Sequence, residues 1–389
     1  MPGPDPDPLR AALERRLLAL WFGDPGRLGN RALAAALAPL AALVGRLSSG
    51  RRAQVRRLAP DARPAVVVVG NLVVGGTGKT PAVIALAREM RSRGWRVGLL
   101  AGGYRGTRHD ARIVSPTDDA LAHGDEAVLL AAATGAPVAA GRRRGDALEL
   151  LERRHPELDL VISDDGLQHP GLPRTLEVVL FDARGAGNGR LLPEGPLREP
   201  LEHARSMDAL LVGDTDGAAA AVPAPPSGGL GNRNANGPPS GLAPDSPLAQ
   251  LPAFRFEVEP TVFRRVNGSA AAGTTPPGAP EELPPAEFVR RAAGRGIDAI
   301  AGIARPARFF DTLRALGLAV AEHPLPDHAR IEPSTLAALR APLVVMTAKD
   351  AVKCRKFADE RCWTLEVHAR IDPAFVDWLE ERLRGSSIA

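Results

Sequence analysis

Lysine is scarce among the basic residues of this chain: of 49 only Lys79, Lys349, Lys353 and Lys356 are lysine, and the remaining 45 are arginine. With abundant alanine, 40 glycines and 37 prolines, that skew marks mutational pressure toward GC-rich codons. It removes the pI near 9.5 as a nucleic-acid signal, since the net charge is only +4 and no nucleic-acid module is recognisable. A lysine that persists in such a background is informative, as is Tyr104, the only tyrosine. Cysteine is scarce too, and Cys354 and Cys362 have neither metal-ligand nor redox spacing, which points to a reducing compartment. No apolar run reaches the uninterrupted length of a membrane span, and Met1–Pro8 does not read as a signal peptide. A hydrophobic content of 44% in 389 residues is enough for two α/β domains.

What is present begins at residues 65–80, AVVVVGNLVVGGTGKT: an apolar strand, a glycine-rich loop and a helix start. Gly75, Gly76 and Gly78 let the backbone turn its N–H groups, with that of Thr77, into a phosphate cradle. Lys79 would reach the terminal phosphates and Thr80 would bind Mg²⁺. Val73 stands where the usual pattern has its first glycine.

Strands and helices then alternate as in a parallel sheet. The expected fold is α/β, two α/β/α layered domains, the first a P-loop kinase-like parallel sheet, behind an N-terminal amphipathic helical segment. The divisions fall at 1–60 (N-terminal segment), 61–175 (ATP-binding domain), 176–370 (second α/β domain) and 371–389 (a last helix). Within the second, 214–252 is rich in Gly, Pro, Ala, Asn and Ser and reads as a flexible insertion, as does 269–280. Strands are expected at 254–258 and 318–321. In the N-terminal segment, leucines with Trp21 and Phe22 are flanked by arginines, which suits either a membrane surface or an ordinary packed helix.

Phosphoryl transfer needs a cradle, a metal, an acceptor-orienting group and cations. Asp164 and Asp165 end an apolar strand, where a Mg²⁺-associated carboxylate belongs, although Asp-Gly is also a turn pair. Gln168 and His169 follow in the same loop as polar contacts or surface residues. Asp125 and Glu126 open a helix, where Asp125 is either a cap or a functional carboxylate. His328, beside Asp327, can accept a proton or hold a carboxylate in place. Arg198 and Glu199 form an anion clamp or a surface pair. Residues 347–353 carry two of the four lysines, as a solvated helix start or as part of an anion site.

These blocks, in this order, resemble the tetraacyldisaccharide 4′-kinase (lipid A 4′-kinase) family over nearly the whole chain outside the Gly/Pro-rich insertion. The match runs through Gly70-Asn71, Gly75–Pro81, Gly103-Tyr104, Gly124–Glu126, Asp164–His169, Gly187–Pro193, Gly195–Glu199, Ala301–Ile303 with Phe309-Phe310, Asp327-His328 and Thr347–Lys353. The resemblance implies transfer of the γ-phosphate of ATP, with Mg²⁺, to the 4′-hydroxyl of tetraacyldisaccharide 1-phosphate, forming lipid IVA. It implies a peripheral enzyme on the cytoplasmic face of the bacterial inner membrane, with the N-terminal helix in membrane and acyl-chain contact and no protein partner. It assigns Asp125 as catalytic carboxylate assisted by His328, Lys79 and Thr80 as nucleotide and Mg²⁺ ligands, and Asp164 and Asp165 around the metal. Tyr104, Glu126, Gln168, His169, Arg198 and Glu199 become cleft residues. One departure stands out: the family usually has Ser-Arg before Gly-Tyr, whereas this chain has Ala101-Gly102, so a cation expected near the phosphates is missing, and either Arg105 or Arg108 substitutes for it or the activity is altered. The competing reading is a membrane-associated P-loop ATPase that acts as a partner-binding switch.

Overall fold

The computed structural model describes residues 8–23, 28–58, 63–103, 106–107, 110–214, 246–266 and 281–385. Tyr104, Arg105, Arg108, most of the 214–252 insertion and all of 269–280 lie outside them. The strands are β1 (Ala65–Gly70), β2 (Val97–Ala101), β3 (Arg112–Val114), β4 (Val138–Ala140), β5 (Leu160–Asp164), β6 (Leu176–Asp182), β7 (Ala209–Asp214), β8 (Ala253–Arg265), β9 (Glu282–Leu283), β10 (Ile297–Ala301), β11 (Ala321–Pro324), β12 (Leu343–Thr347) and β13 (Cys362–Ile371). The helices are α1 (Pro8–Phe22), α2 (Leu28–Arg52), α3 (Lys79–Ser92), α4 (Ala120–His123), α5 (Asp125–Thr134), α6 (Arg144–Arg154), α7 (Pro285–Ala292), α8 (Pro306–Ala315), α9 (Pro333–Ala338), α10 (Ala348–Cys354) and α11 (Pro373–Arg384).

All six residues of β1 are buried, because a parallel strand covered on both faces has no solvent side. Its valines pair in parallel with β5 on one side and β6 on the other. The sheet continues in the order β11-β10-β12-β13-β8-β7-β6-β1-β5-β2-β4-β3, with β9 beside β8. Among the named strands of the described residues, the antiparallel pairs are β3 with β4, β8 with β9, and the long β8–β13 ribbon.

That ribbon joins two cores. At one end Phe254, Phe256 and Val258 pack with α3 and with Phe375 and Leu379 of α11. At the other, Phe263 stacks on Phe288 and shares a core with Trp363 and Leu365. The expected strand 254–258 is therefore a 13-residue strand. Pro260 lies at the register shift opposite Glu366/Val367, where the missing N–H is tolerated. Strands β6 and β7, assigned from sequence to the second half, contribute Leu176, Val178, Leu180, Ala209 and Leu211 to the first core. The expected strand 318–321 begins only at Ala321, because Gly317 (φ 89°) and Leu318 finish α8 by bonding back to its last turn. The tail of the insertion is ordered: Ser246 caps a 3₁₀ turn, Pro247–Gln250, that buries Leu248.

Helices α1 and α2 clasp the loop 187–194. Trp21 donates its indole N–H to the Pro193 carbonyl (2.9 Å), and Asn188 bonds the Leu20 carbonyl (3.2 Å). Over Gly29–Arg52, α2 is long and apolar enough to cross a membrane by length and composition, a property the arginines obscure in the sequence. Its last turn is fixed to the sheet. Arg52 and Arg174 each donate to Glu177 Oε1 (2.6 Å), Arg57 lies 3.0 Å from Oε2, and Glu177 and Arg174 are fully buried. Burial alone would push the Glu177 carboxyl up, but the arginines outweigh it and hold it below its ordinary value. Its stabilisation is thus complete above the unfolded pKa and fades as pH falls through the folded one. Glu177→Ala, which strands Arg174, should cost about 3–5 kcal/mol in denaturant unfolding at neutral pH.

Candidate active site

The carboxyl ends of β1, β2, β5 and β6 open onto one crevice, the position where open α/β sheets bind ligands. Beyond β1 the chain turns through Gly75 (φ 102°) and Gly78 (φ 86°), which caps α3 in the left-handed region. A Cβ at Gly78 would also lie 3.1 Å from the Phe256 ring, so both backbone and space demand glycine there. The loop 191–198 braces the cradle: Val74 N–H bonds the Pro196 carbonyl (2.9 Å) and Arg198 N–H the Leu72 carbonyl (2.6 Å).

Lys79 donates to Asn71 Oδ1 (2.9 Å) and lies 3.3 Å from Asp165, while Asn71 donates to Thr77 (3.1 Å). Thr80 donates to Asp164 Oδ2 (2.8 Å). Asp165, at a left-handed φ of 54°, is bracketed by Lys79 and by Arg198 at 3.0 Å. Burial would push its carboxyl up, but the two cations prevail and hold it well below the ordinary range. Asp164 is the opposite case: burial, reinforced by the charge of Glu126, pushes it up to about 7. Its Oδ1 is buried without a hydrogen-bond partner. Gln168 donates to Glu199 (2.6 Å) and to the Asn71 carbonyl (3.3 Å), and Glu199 pairs with His203 (2.8 Å). Burial and the nearby Arg144 charge hold His169 down at about 4, so it is neutral at pH 7.

Across the crevice, α5 begins at Asp125, which is 6% exposed. His328, carried from the second half in a left-handed conformation (φ 57°), reaches it at 3.0 and 3.1 Å through Nδ1. Burial would raise the Asp125 carboxyl, but the His328 hydrogen bond and the Lys349 charge outweigh it and the net shift is downward. Glu126 pairs with Lys349 at 3.1 Å.

Sequence reasoning missed several participants. Asn71 holds Lys79. Arg144, 4% exposed, donates to the carbonyls of Asp164 (2.9 Å) and Gly141 (3.2 Å). A Cβ at Gly102 would lie 3.0 Å from both its terminal nitrogens, so where the resemblance leads one to expect an arginine at 102, Arg144 fills the space. Asp182 gathers Arg184 (2.6 Å) and, from the second half, Arg305 (3.2 Å). Lys349 and Lys353 carried a signal, as rare lysines; Arg144, one of three consecutive arginines, carried none.

A helix entered through a glycine loop at the end of a parallel strand, with a lysine and threonine facing a carboxylate, is the arrangement of P-loop phosphotransferases, and the chain is of that class. Residues 33–384 match the family described as Tetraacyldisaccharide-1-P 4′-kinase, and the chain belongs to that family. It is 39% identical to the tetraacyldisaccharide 4′-kinase of Dechloromonas aromatica over 378 residues, covering 97% of this chain and 100% of that one. With the Bordetella parapertussis enzyme it shares 41% over 377 residues, covering 95% and 97%. The fold resembles the crystal structure of "apo" form LpxK from Aquifex aeolicus in complex with ATP, with a TM-score of 0.66 and 23% identity over 90% of this chain and 99% of that one.

An ionised carboxylate buried with an unpaired oxygen is a cost that a ligand would relieve. Asp164→Asn should therefore stabilise the nucleotide-free protein by about 1–3 kcal/mol above pH 7. With the folded pKa raised, the gain should shrink as pH falls below about 7, read as thermal unfolding across pH.

Proposed function

We propose that this chain transfers the γ-phosphate of ATP to the 4′-hydroxyl of tetraacyldisaccharide 1-phosphate in lipid A biosynthesis. The carrying observation is the pair of arrangements at the site: Asp125 bonded at 3.0 Å to His328 of the other half, and Lys79 and Thr80 of the phosphate loop set against Asp165 (3.3 Å) and Asp164 (2.8 Å). The loop glycines, Thr77, Lys79 and Thr80 would bind the nucleotide. The Thr80 hydroxyl and the unpaired Asp164 oxygen are hard donors that fit Mg²⁺, which takes one or two carboxylates and completes its shell with phosphate and water. Bound there, Mg²⁺ would offset charge on the phosphates. Asp165, engaged by Lys79 and Arg198, fits an orienting role better than that of ligand.

In the transfer, the acceptor O–H bond breaks and its proton passes to Asp125 as the oxygen bonds to the γ-phosphorus. The bond from that phosphorus to the bridging oxygen breaks, and ADP leaves. Lys79 and Arg198 face the charge that develops on the phosphoryl oxygens. Glu126, Gln168, His169 and Glu199 line the cleft, and Tyr104 retains the cleft role implied by the resemblance. Closure of the two halves would exclude water.

The lipid acceptor agrees with the N-terminal helices. Leu13, Leu18, Leu40, Leu43 and Leu47 are exposed, as are Arg15, Arg16, Arg31 and Arg46, a pattern suited to the cytoplasmic surface of the inner membrane. An open groove of about 380 Å³ between α2 and residues 189–202 is walled by Ala38, Ala41, Leu191, Leu197 and Leu201, a surface suited to acyl chains. Replacing Leu40, Leu43 and Leu47 together by Ser should reduce co-sedimentation with anionic phospholipid vesicles while changing turnover in micelles much less. Unchanged sedimentation would remove α2 from the contact.

The deciding assay is transfer of labelled γ-phosphate from Mg-ATP to tetraacyldisaccharide 1-phosphate in detergent micelles. Asp125→Asn should lose at least about a hundredfold in kcat and keep its ATP affinity, the scale of a lost general base. ATP hydrolysis indifferent to the acceptor would favour the partner-binding switch instead.

A further inference from the structure

We infer that Lys349 and Lys353 are positioning residues of the Asp125–His328 pair, and that Lys349, donating to Nε2 opposite Asp125 at Nδ1, holds the His328 ring as its Nδ1–H tautomer, leaving Asp125 as the proton acceptor. The inference deepens the kinase reading and rests on it for the meaning of the pair, though not for the tautomer.

Both ring nitrogens of His328 have a neighbour of fixed character. Nδ1 lies 3.0 and 3.1 Å from the two oxygens of Asp125. A carboxylate only accepts, so Nδ1 carries the hydrogen and donates it. Nε2 lies 3.1 Å from Lys349 Nζ. An ammonium only donates, so Nε2 presents its lone pair. The charged states this requires are the ones the surroundings favour. Asp125 is held below its ordinary value. Burial would lower Lys349, but Glu126, Asp125 and Asp327 outweigh it and raise it.

Lys349 is itself fixed, 3.1 Å from Glu126 and 3.6 Å from Asp327. Lys353, four residues on, is 4% exposed at its side chain and bridges Asp350 (2.8 Å) and Asp125 Oδ2 (3.5 Å). Asp350 is anchored in turn: it accepts from the Gly302 N–H (2.9 Å) and the Thr347 hydroxyl (2.6 Å). One short helix, α10, thus delivers two cations to one dyad. Lys353 holds the carboxylate, and Lys349 occupies the imidazole nitrogen that would otherwise compete for the acceptor proton. The charged groups that face the ring are Asp125 and Glu126 from α5, Asp327 from its own loop, and Lys349 from α10, with Lys353 behind Asp125.

The test is ¹⁵N NMR of the full-length protein labelled at histidine, in micelles without substrate, with the His328 signals assigned by their loss in His328→Gln. The expected result is a protonated Nδ1 and an unprotonated Nε2 at neutral pH. A protonated Nε2 in the unaltered protein overturns the proposal, whatever any variant does. In Lys349→Met the Nε2 lone pair loses its donor, so the Nε2 ¹⁵N signal should move downfield toward that of a free imidazole nitrogen, while Asp125 keeps the hydrogen on Nδ1. Its kcat should fall about tenfold or more, the scale of a misplaced reacting group, with the KM for ATP unchanged. Lys349→Arg should restore neither the Nε2 signal nor kcat, because the ring takes a single compact donor. A Lys349→Met protein with an unchanged Nε2 signal and kcat would also overturn the assignment. The tautomer reads independently of the acceptor, so failure of the kinase assay with an Nδ1–H ring would indict the proposed substrate and not the lysines.

Discussion

A carboxylate as deeply buried as Asp125 is tolerable only when opposite charge and hydrogen bonds surround it, and unpaired it would cost several kcal/mol. In this fold the side chains that meet it, His328 and Lys353, come from the other half of the chain. The first half can supply the carboxylate and the Glu126 N–H that bonds it at 2.9 Å, but not the neutralising charge. The dyad therefore forms only when the two halves are together. The burial that would otherwise penalise Asp125 becomes the force that holds the second half over the phosphate loop.

The β8–β13 ribbon makes that approach possible. Each of its strands contributes to both cores, so the halves are joined by a continuous ladder as well as by loops. The register shift at Glu366/Val367 lies between the stretches that serve each core, and a ladder interrupted there can bend without exposing either core. Two further ion pairs reinforce the same closure from different directions: Arg305 with Asp182 beside the phosphate loop, and Lys349 with Glu126. Apolar contacts cross as well, since Val352 of α10 and Phe254, Phe256 and Val258 of β8 pack against the first core.

How much of this was legible varied with how local the cause is. The valine run of β1, the glycine loop and α3 were readable because each depends on neighbours within a few residues. The same holds for α5, whose Asp125 had two open readings, cap or functional carboxylate. The cap reading does not hold: Gly124 is the N-cap and Asp125 the first helical residue, where one oxygen accepts the Glu126 N–H and both face His328. What escaped was decided at long range. Pro260 suggests a break, and only its partner strand shows that a bulge absorbs it. Trp21 beside arginines suggests a membrane surface, and only the loop at Pro193 shows where its indole hydrogen goes. Arg144 is lost among its arginine neighbours, although it is the one placed over Gly102 and the Asp164 carbonyl.

The scarcity of lysine takes on a physical meaning in this light. If mutational pressure converts lysine to arginine wherever the change is harmless, the survivors mark places where a guanidinium cannot serve. Lys79 must fit between Asn71 and Asp165; Lys349 must give one hydrogen to an imidazole nitrogen; Lys353 must fit between two buried carboxylates. Each is a compact point-donor task, for which a planar fork five donors wide is the wrong shape. Lys356 is the counterexample that keeps the argument bounded, since it is exposed and pairs with Asp119 at 2.9 Å, a contact an arginine would also make. Three of four lysines at one cleft are therefore a record of shape as much as of charge, and they lead to α10 as directly as the glycines lead to the phosphate loop.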